Sequence, residues 1–169
     1  NGVQHINGDL VIDNSWFARE ELDPGAFDGQ EYRAYNVLPD ALLINFQSVN
    51  FSFRPDPARR TIRILSDPVL AGVAIDNRMT LFSGGCSSRG SHISMDVSRE
   101  ADQSRVIFTG KLANNCSEYQ LLRSLLDGPA YAYATFRGLW EEQGGRIAGH
   151  LPLGPVPPGT HPPPRFRSL

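Results

Sequence analysis

Apolar and polar residues alternate along much of this chain. Asn45 to Phe53 reads as a strand that alternates at its end, with Val49, Phe51 and Phe53 on one side and Ser48, Asn50 and Ser52 on the other. That is the period of two that a half-buried strand needs. Thr61 to Leu65 repeats it, with Ile62 and Ile64 set against Thr61 and Arg63. The Arg-Pro-Asp-Pro-Ala-Arg stretch between them predicts a hairpin connection, because proline fixes φ and brings no N–H to a central strand. Asp9 to Phe17, Val69 to Ile75, Met79 to Phe82, His92 to Val97, Arg105 to Leu112, Ala130 to Phe136 and Arg146 to Leu151 read as further strands. Turn signals at Asp76-Asn77, Ser83-Gly84-Gly85 and Gly144-Gly145 separate several of them. Many short strands at this spacing predict a mainly β domain, a sandwich or barrel.

One segment breaks the period. Ser117 is followed three positions later by Gln120, the capping-box pattern. Leu121, Leu122, Leu125 and Leu126 then form one apolar stripe of a helix. Gly128 and Pro129 read as its stop. Tyr131, Tyr133 and Thr135 alternate with Ala130, Ala132, Ala134 and Phe136. As a strand this segment packs its alanine face closely. Its tyrosines belong to the core or, in the alternative, to an interaction strip together with Trp16 and Trp140.

Length and composition narrow the class. The chain has 169 residues, enough for one core, with 40% hydrophobic and 20% charged residues. No apolar run approaches the roughly 20 residues of a membrane span. A net charge of −2 supplies no field to draw nucleic acid or an anionic membrane. The domain is expected over residues 1–153, with a tail over 154–169. Seven prolines from Pro152 to Pro164 favour extended polyproline II there.

The candidate chemistry is sparse. Cys86 and Cys116 form no CxxC, so a zinc ribbon or redox motif is not expected. They read as one disulfide in a chain from outside the cytosol, with a signal peptide removed or an excised fragment in hand, and two free buried thiols as the alternative. The bridge closes a loop worth about 3 kcal/mol in the chain-entropy view. His5, His92, His150 and His161 make no HxH or HExxH spacing, so no metal and no cofactor is expected. No GxSxG occurs, and Gly85 to Gly90 reads as a turn carrying the disulfide. Glu20-Glu21 and Glu141-Glu142 are adjacent pairs suited to solvated loops. Asn50 and Asn115 head N-glycosylation sequons.

From Arg105 to Leu151 the chain resembles the end of a CHRD domain, the chordin-type module of extracellular proteins. Val106-Ile-Phe-Thr-Gly, the Leu121 to Leu126 segment, Gly128, Tyr131-Ala-Tyr-Ala-Thr135 and Gly145-Arg-Ile-Ala-Gly-His-Leu151 follow that family's order. Arg146 and Ala148 stand where the family has Glu and Arg, and its His-x-His segment is absent. The resemblance implies an immunoglobulin-like or dismutase-like β-sandwich, a binding or structural module without catalysis, and transfers no functional residues.

The leading expectation is therefore a secreted structural or interaction protein, not an enzyme, a self-assembling subunit joined through its terminal extensions. Its partners are expected to be copies of itself, or an extracellular protein or glycan. The alternatives are a carbohydrate- or ligand-binding sandwich and a viral capsid or spike jelly roll. Last comes a hydrolase whose site brings His92 or His150 beside a carboxylate.

Overall fold

A computed structural model describes residues 2–15, 22–86, 92–99, 103–155 and 158–159. Trp16, Glu20, Glu21, His161 and most of the proline-rich tail lie outside the described residues. In chain order the strands are β1 (His5–Ile6), β2 (Ser48–Asp56), β3 (Thr61–Asp67), β4 (Val73–Phe82), β5 (His92–Arg99), β6 (Ser104–Ala113) and β7 (Tyr119–Ser124). Helix α1 (Gly128–Glu142) and β8 (Arg146–Ile147) follow. The chain is mainly β with one α-helix among the described residues.

Two three-stranded sheets, ordered β3-β2-β7 and β4-β6-β5, share one core. The alternation in β2 puts Val49, Phe51 and Phe53 inside, each at most 1% exposed. Phe108 of β6 meets Phe51 and Phe53 edge-on, at centroid distances of 4.9 and 5.0 Å. Edge-to-face contact sets the electropositive rim of one ring against the π face of the next. The expected hairpin is present, with β2 and β3 antiparallel from Asn50↔Asp67 to Asp56↔Thr61. Pro55 falls within β2 beyond the Ser48 to Phe53 stretch that β7 pairs, where its missing N–H costs no bond to that strand.

Several expectations fail here, each for a visible reason. Asp76-Asn77 makes no turn: β4 runs straight through it, paired in parallel with β6 from Val73↔Ser104 to Phe82↔Ala113. Asn77 instead donates from its side-chain amide to the Ile62 carbonyl at 2.6 Å, tying β4 to β3. The Leu121 segment is not a helix. Tyr119 to Ser124 pairs antiparallel with β2, Leu121 opposite Phe51 and Leu122 opposite Asn50.

Ala130 to Phe136 is not a strand. It lies in α1, whose N-cap is Asp127, accepting from the Ala130 amide at 2.9 Å, with Pro129 in the first turn. Gly128 and Pro129 thus begin a helix rather than end one.

Of the expected strand from Asp9 to Phe17, Trp16 and Phe17 lie outside the described residues; its described part and Arg146 to Leu151 contribute only short pieces of a parallel ribbon. His5 and Ile6 pair with Arg146 and Ile147, and Ile12 bridges Leu153. Backbone bonds from Leu10 to His150 (3.0 Å) and Ile12 to Pro152 (3.2 Å) continue it. The first residues of the proline-rich tail are therefore strapped to the N-terminal segment.

The disulfide is present, joining Cys86 to Cys116. Both cysteines lie just past the ends of the parallel neighbours β4 and β6, so the bridge fastens the ends of those two strands together.

Candidate functional site: a cleft between the helix and the sheet

Helix α1 approaches the chain closely because Gly138 has no side chain; a Cβ there would collide with the Val69 carbonyl. The Ala71 amide donates to the Ala134 carbonyl at 3.0 Å. Tyr131 anchors the helix. It is fully buried, its hydroxyl donates to the Ser48 carbonyl at 2.8 Å, and it accepts from the Asn45 side-chain amide at 3.0 Å. Tyr131 is therefore a core residue and not part of an exposed aromatic strip. Tyr133 is half-buried and donates to the Gly149 carbonyl at 2.8 Å, locking α1 to the terminal ribbon. Trp140 stacks on Phe136 at 6.0 Å, and its indole N–H is closed off from solvent with no partner. The expected aromatic strip is thus one core residue and two packing residues, with Trp16 outside the described residues.

Beside this helix lies a cleft of about 410 Å³. Its walls are Ile44, Asn45, Ser48, Asn50, Asp67, Pro68, Leu122, Tyr131 and Thr135. Asn50 sits between Leu122 and Asp67 in the sheet register, so the three share the face opposite the phenylalanine core. One rim is backbone under strain: Asn45, Phe46 and Gln47 have φ of 46, 48 and 49°. A left-handed L-residue costs roughly 1–2 kcal/mol, and bulky Phe46 is the unusual member of the run. The Asn45 amide on the Ser48 carbonyl at 2.9 Å and the Ser48 hydroxyl on the Phe46 carbonyl at 2.8 Å hold the turn. Thr135 Oγ1 is closed off from solvent without a partner. Such strained and unsatisfied groups concentrate where proteins bind or react.

The other expected sites are dispersed. The His92 ring lies 3.3 Å from the Ser94 hydroxyl on an exposed stretch of β5, with no carboxylate bonded to it among the described residues. The His150 backbone amide, not its ring, meets Asp9, at 2.7 Å. No group of three or more His, Cys, Asp or Glu among the described residues could hold a metal. Glu141 lies in the last turn of the helix and takes the Arg137 guanidinium at 2.7 Å, away from the loops expected for it. Asn50 is half-buried within β2, and Asn115 is exposed in the turn after β6. Elsewhere, the Tyr35 hydroxyl at 2.6 Å holds the Asp28 carboxyl below its ordinary pKa. Burial, and then the nearby Arg33 charge, depress the Arg123 guanidinium. Sequence reasoning missed Asn45, Asp67 and Thr135. Only Asn45 carried a signal, since asparagine tolerates the left-handed region.

The model of the D-Ala-D-Ala carboxypeptidase 3 (S13) family matches residues 1–163. Among solved structures, the chain is similar to penicillin binding protein 4 (dacB) from Haemophilus influenzae. It has 20% identity and a TM-score of 0.59 to that structure, over 90% of this chain and 33% of the other. A second structure of that protein, complexed with a novel beta-lactam, gives 17% identity and a TM-score of 0.52 over 95% and 32%. At these identities the likeness is one of fold, and this chain spans about a third of those proteins. No curated protein sequence matches it. The family match overturns the CHRD resemblance, whose Tyr131 to Thr135 strand is in any case a helix. It also overturns the non-enzymatic, self-assembling reading with partners in other copies of the chain, because the matched family is one of peptidases. Matched over residues 1–163 of its 169, the chain belongs to the D-Ala-D-Ala carboxypeptidase 3 (S13) family.

Proposed function

We propose that this chain is the β-rich part of a D-Ala-D-Ala carboxypeptidase that trims peptides of the cell wall, in the periplasm or at the cell surface. One observation carries the reading: the family match covers nearly the whole chain, yet the serine machinery of such enzymes is not in these residues. Penicillin-binding proteins use Ser-x-x-Lys, Ser-Asp-Asn and Lys-Thr-Gly motifs. Lys111, the sole lysine, has Phe108 three places before it and Leu112 after it, and Ser66-Asp67 runs into Pro68. The lysine itself is exposed on β6. The reactive serine then belongs to a further part of a longer polypeptide, which agrees with the one-third coverage of penicillin binding protein 4.

In this reading the two three-stranded sheets face each other as a small sandwich that supports the catalytic part. The Cys86–Cys116 bridge suits a compartment outside the cytosol. Among the described residues no helix is long and apolar enough to cross a membrane.

The test uses the intact protein that carries this chain. It is expected to release D-alanine from a peptide ending in D-Ala-D-Ala. A fluorescent penicillin is expected to acylate it at a serine that peptide mapping places outside residues 1–169. Acylation within this chain, or no release of D-alanine, refutes the reading.

A further inference from the structure

We propose that the cleft between α1 and the outer face of the β3-β2-β7 sheet binds a short peptide bearing a primary ammonium, with Asp67 receiving the charge. No family motif lies in this cleft, and the inference stands on its geometry alone.

Of the nine residues lining the cleft, Asp67 carries the only charge and none is basic. The carboxylate makes no hydrogen bond or ion pair among the described residues, although several arginines elsewhere are paired with acids. A phosphate or carboxylate group entering here would meet a like charge with nothing to offset it, whereas an ammonium finds an open partner. Beside Asp67 in the register, the Asn50 side-chain amide likewise makes no hydrogen bond among the described residues. Asn45 spends both protons of its own amide on the Ser48 carbonyl and the Tyr131 hydroxyl, which leaves its oxygen as an acceptor. Side-chain amides match the donor and acceptor of a peptide group, and Ile44, Pro68 and Leu122 supply an apolar wall for a small aliphatic side chain.

One further feature fits a ligand site. Leu122 is 49% exposed at the cleft although it is a large apolar residue. A metal ion is disfavoured, because one carboxylate is too few oxygen charges for a hard cation.

The experiment is calorimetric titration of the intact protein, its serine site blocked with penicillin. The probe is acetyl-Lys-Ala amide, which has one free ammonium. Its Nε-acetylated form and tri-N-acetylchitotriose serve as the neutral peptide and the glycan. Saturable binding of the free amine is expected. Acetylating the amine, or making Asp67→Asn, should each weaken it on the order of tenfold, the worth of a charged hydrogen bond. Circular dichroism of the variant checks that it is folded.

No saturable binding of the free amine overturns the proposal. So does equal binding by Asp67→Asn or by the acetylated peptide, or binding of the chitotriose in its place. Release of D-alanine, assayed on the same preparation before blocking, reports separately on the carboxypeptidase reading, so failure of one is not failure of the other.

Discussion

Two neighbouring segments exchange their expected structures, and the exchange is informative. Leu121, Leu122, Leu125 and Leu126 have helical spacing, yet Tyr119–Ser124 is a strand. Ala130 to Phe136 alternates small and large residues, yet it lies within the helix Gly128–Glu142. In the first segment the edge of β2 decides. Six residues of β2 accept six of β7 in register, so the segment's backbone groups find partners in the sheet. Leu121 then turns to the core, Leu122 to the outer face, and Leu125 is buried only after the strand has ended. In the second segment Asp127 caps the first turn and Pro129 sits within it. Alanine-rich sequence favours the helix, and the tyrosines separate: Tyr131 goes inside and Tyr133 to the margin. A leucine stripe at i, i+1, i+4 and i+5 therefore fits both a helix and a strand followed by a buried turn, and only the partner chooses.

The largest test of this contrast is at the helix anchor. Tyr131→Ala should cost roughly 3–5 kcal/mol in denaturant unfolding, as for other buried aromatics cut to alanine. Tyr133→Ala, at a half-buried position, should cost far less. Equal costs would return the segment to a strand with both tyrosines on one face. The next test is in β7. Leu121→Ala should cost about 2 kcal/mol because Leu121 packs on the core, while Leu122→Ala should stay within about 0.5 kcal/mol. Similar losses at both would revive the helical stripe. The smallest is the cap. Asp127→Ala removes the bond to the Ala130 amide and should lower stability by about 1 kcal/mol. Asp127→Asn should recover most of it, and no effect of Asp127→Ala would mean that the helix begins elsewhere.

Much of the sheet was legible in the sequence. Val49, Phe51, Phe53 and Ile62 are buried as their alternation required, and the bridge joins the expected cysteines. Asp76-Asn77 misled because turn-forming residues are also tolerated on a strand when a side chain such as Asn77 finds a backbone partner. The cleft was not legible. Asn45, Asn50, Asp67, Leu122 and Thr135 come from three strands, a turn and a helix, and no spacing along the chain relates them. Nor did the residues point to the family, since the motifs that advertise its chemistry are not among them.

By itself the sequence determined which residues must be buried and where glycine, proline and cysteine constrain the backbone. It did so because side-chain alternation and φ preferences act over a few neighbouring residues. The tertiary structure alone decided whether an apolar stripe became a strand or a helix, which strands ran parallel, and which polar groups met across the cleft. Those outcomes depend on which backbone edge is free to pair, and that is a property of segments far apart in the chain.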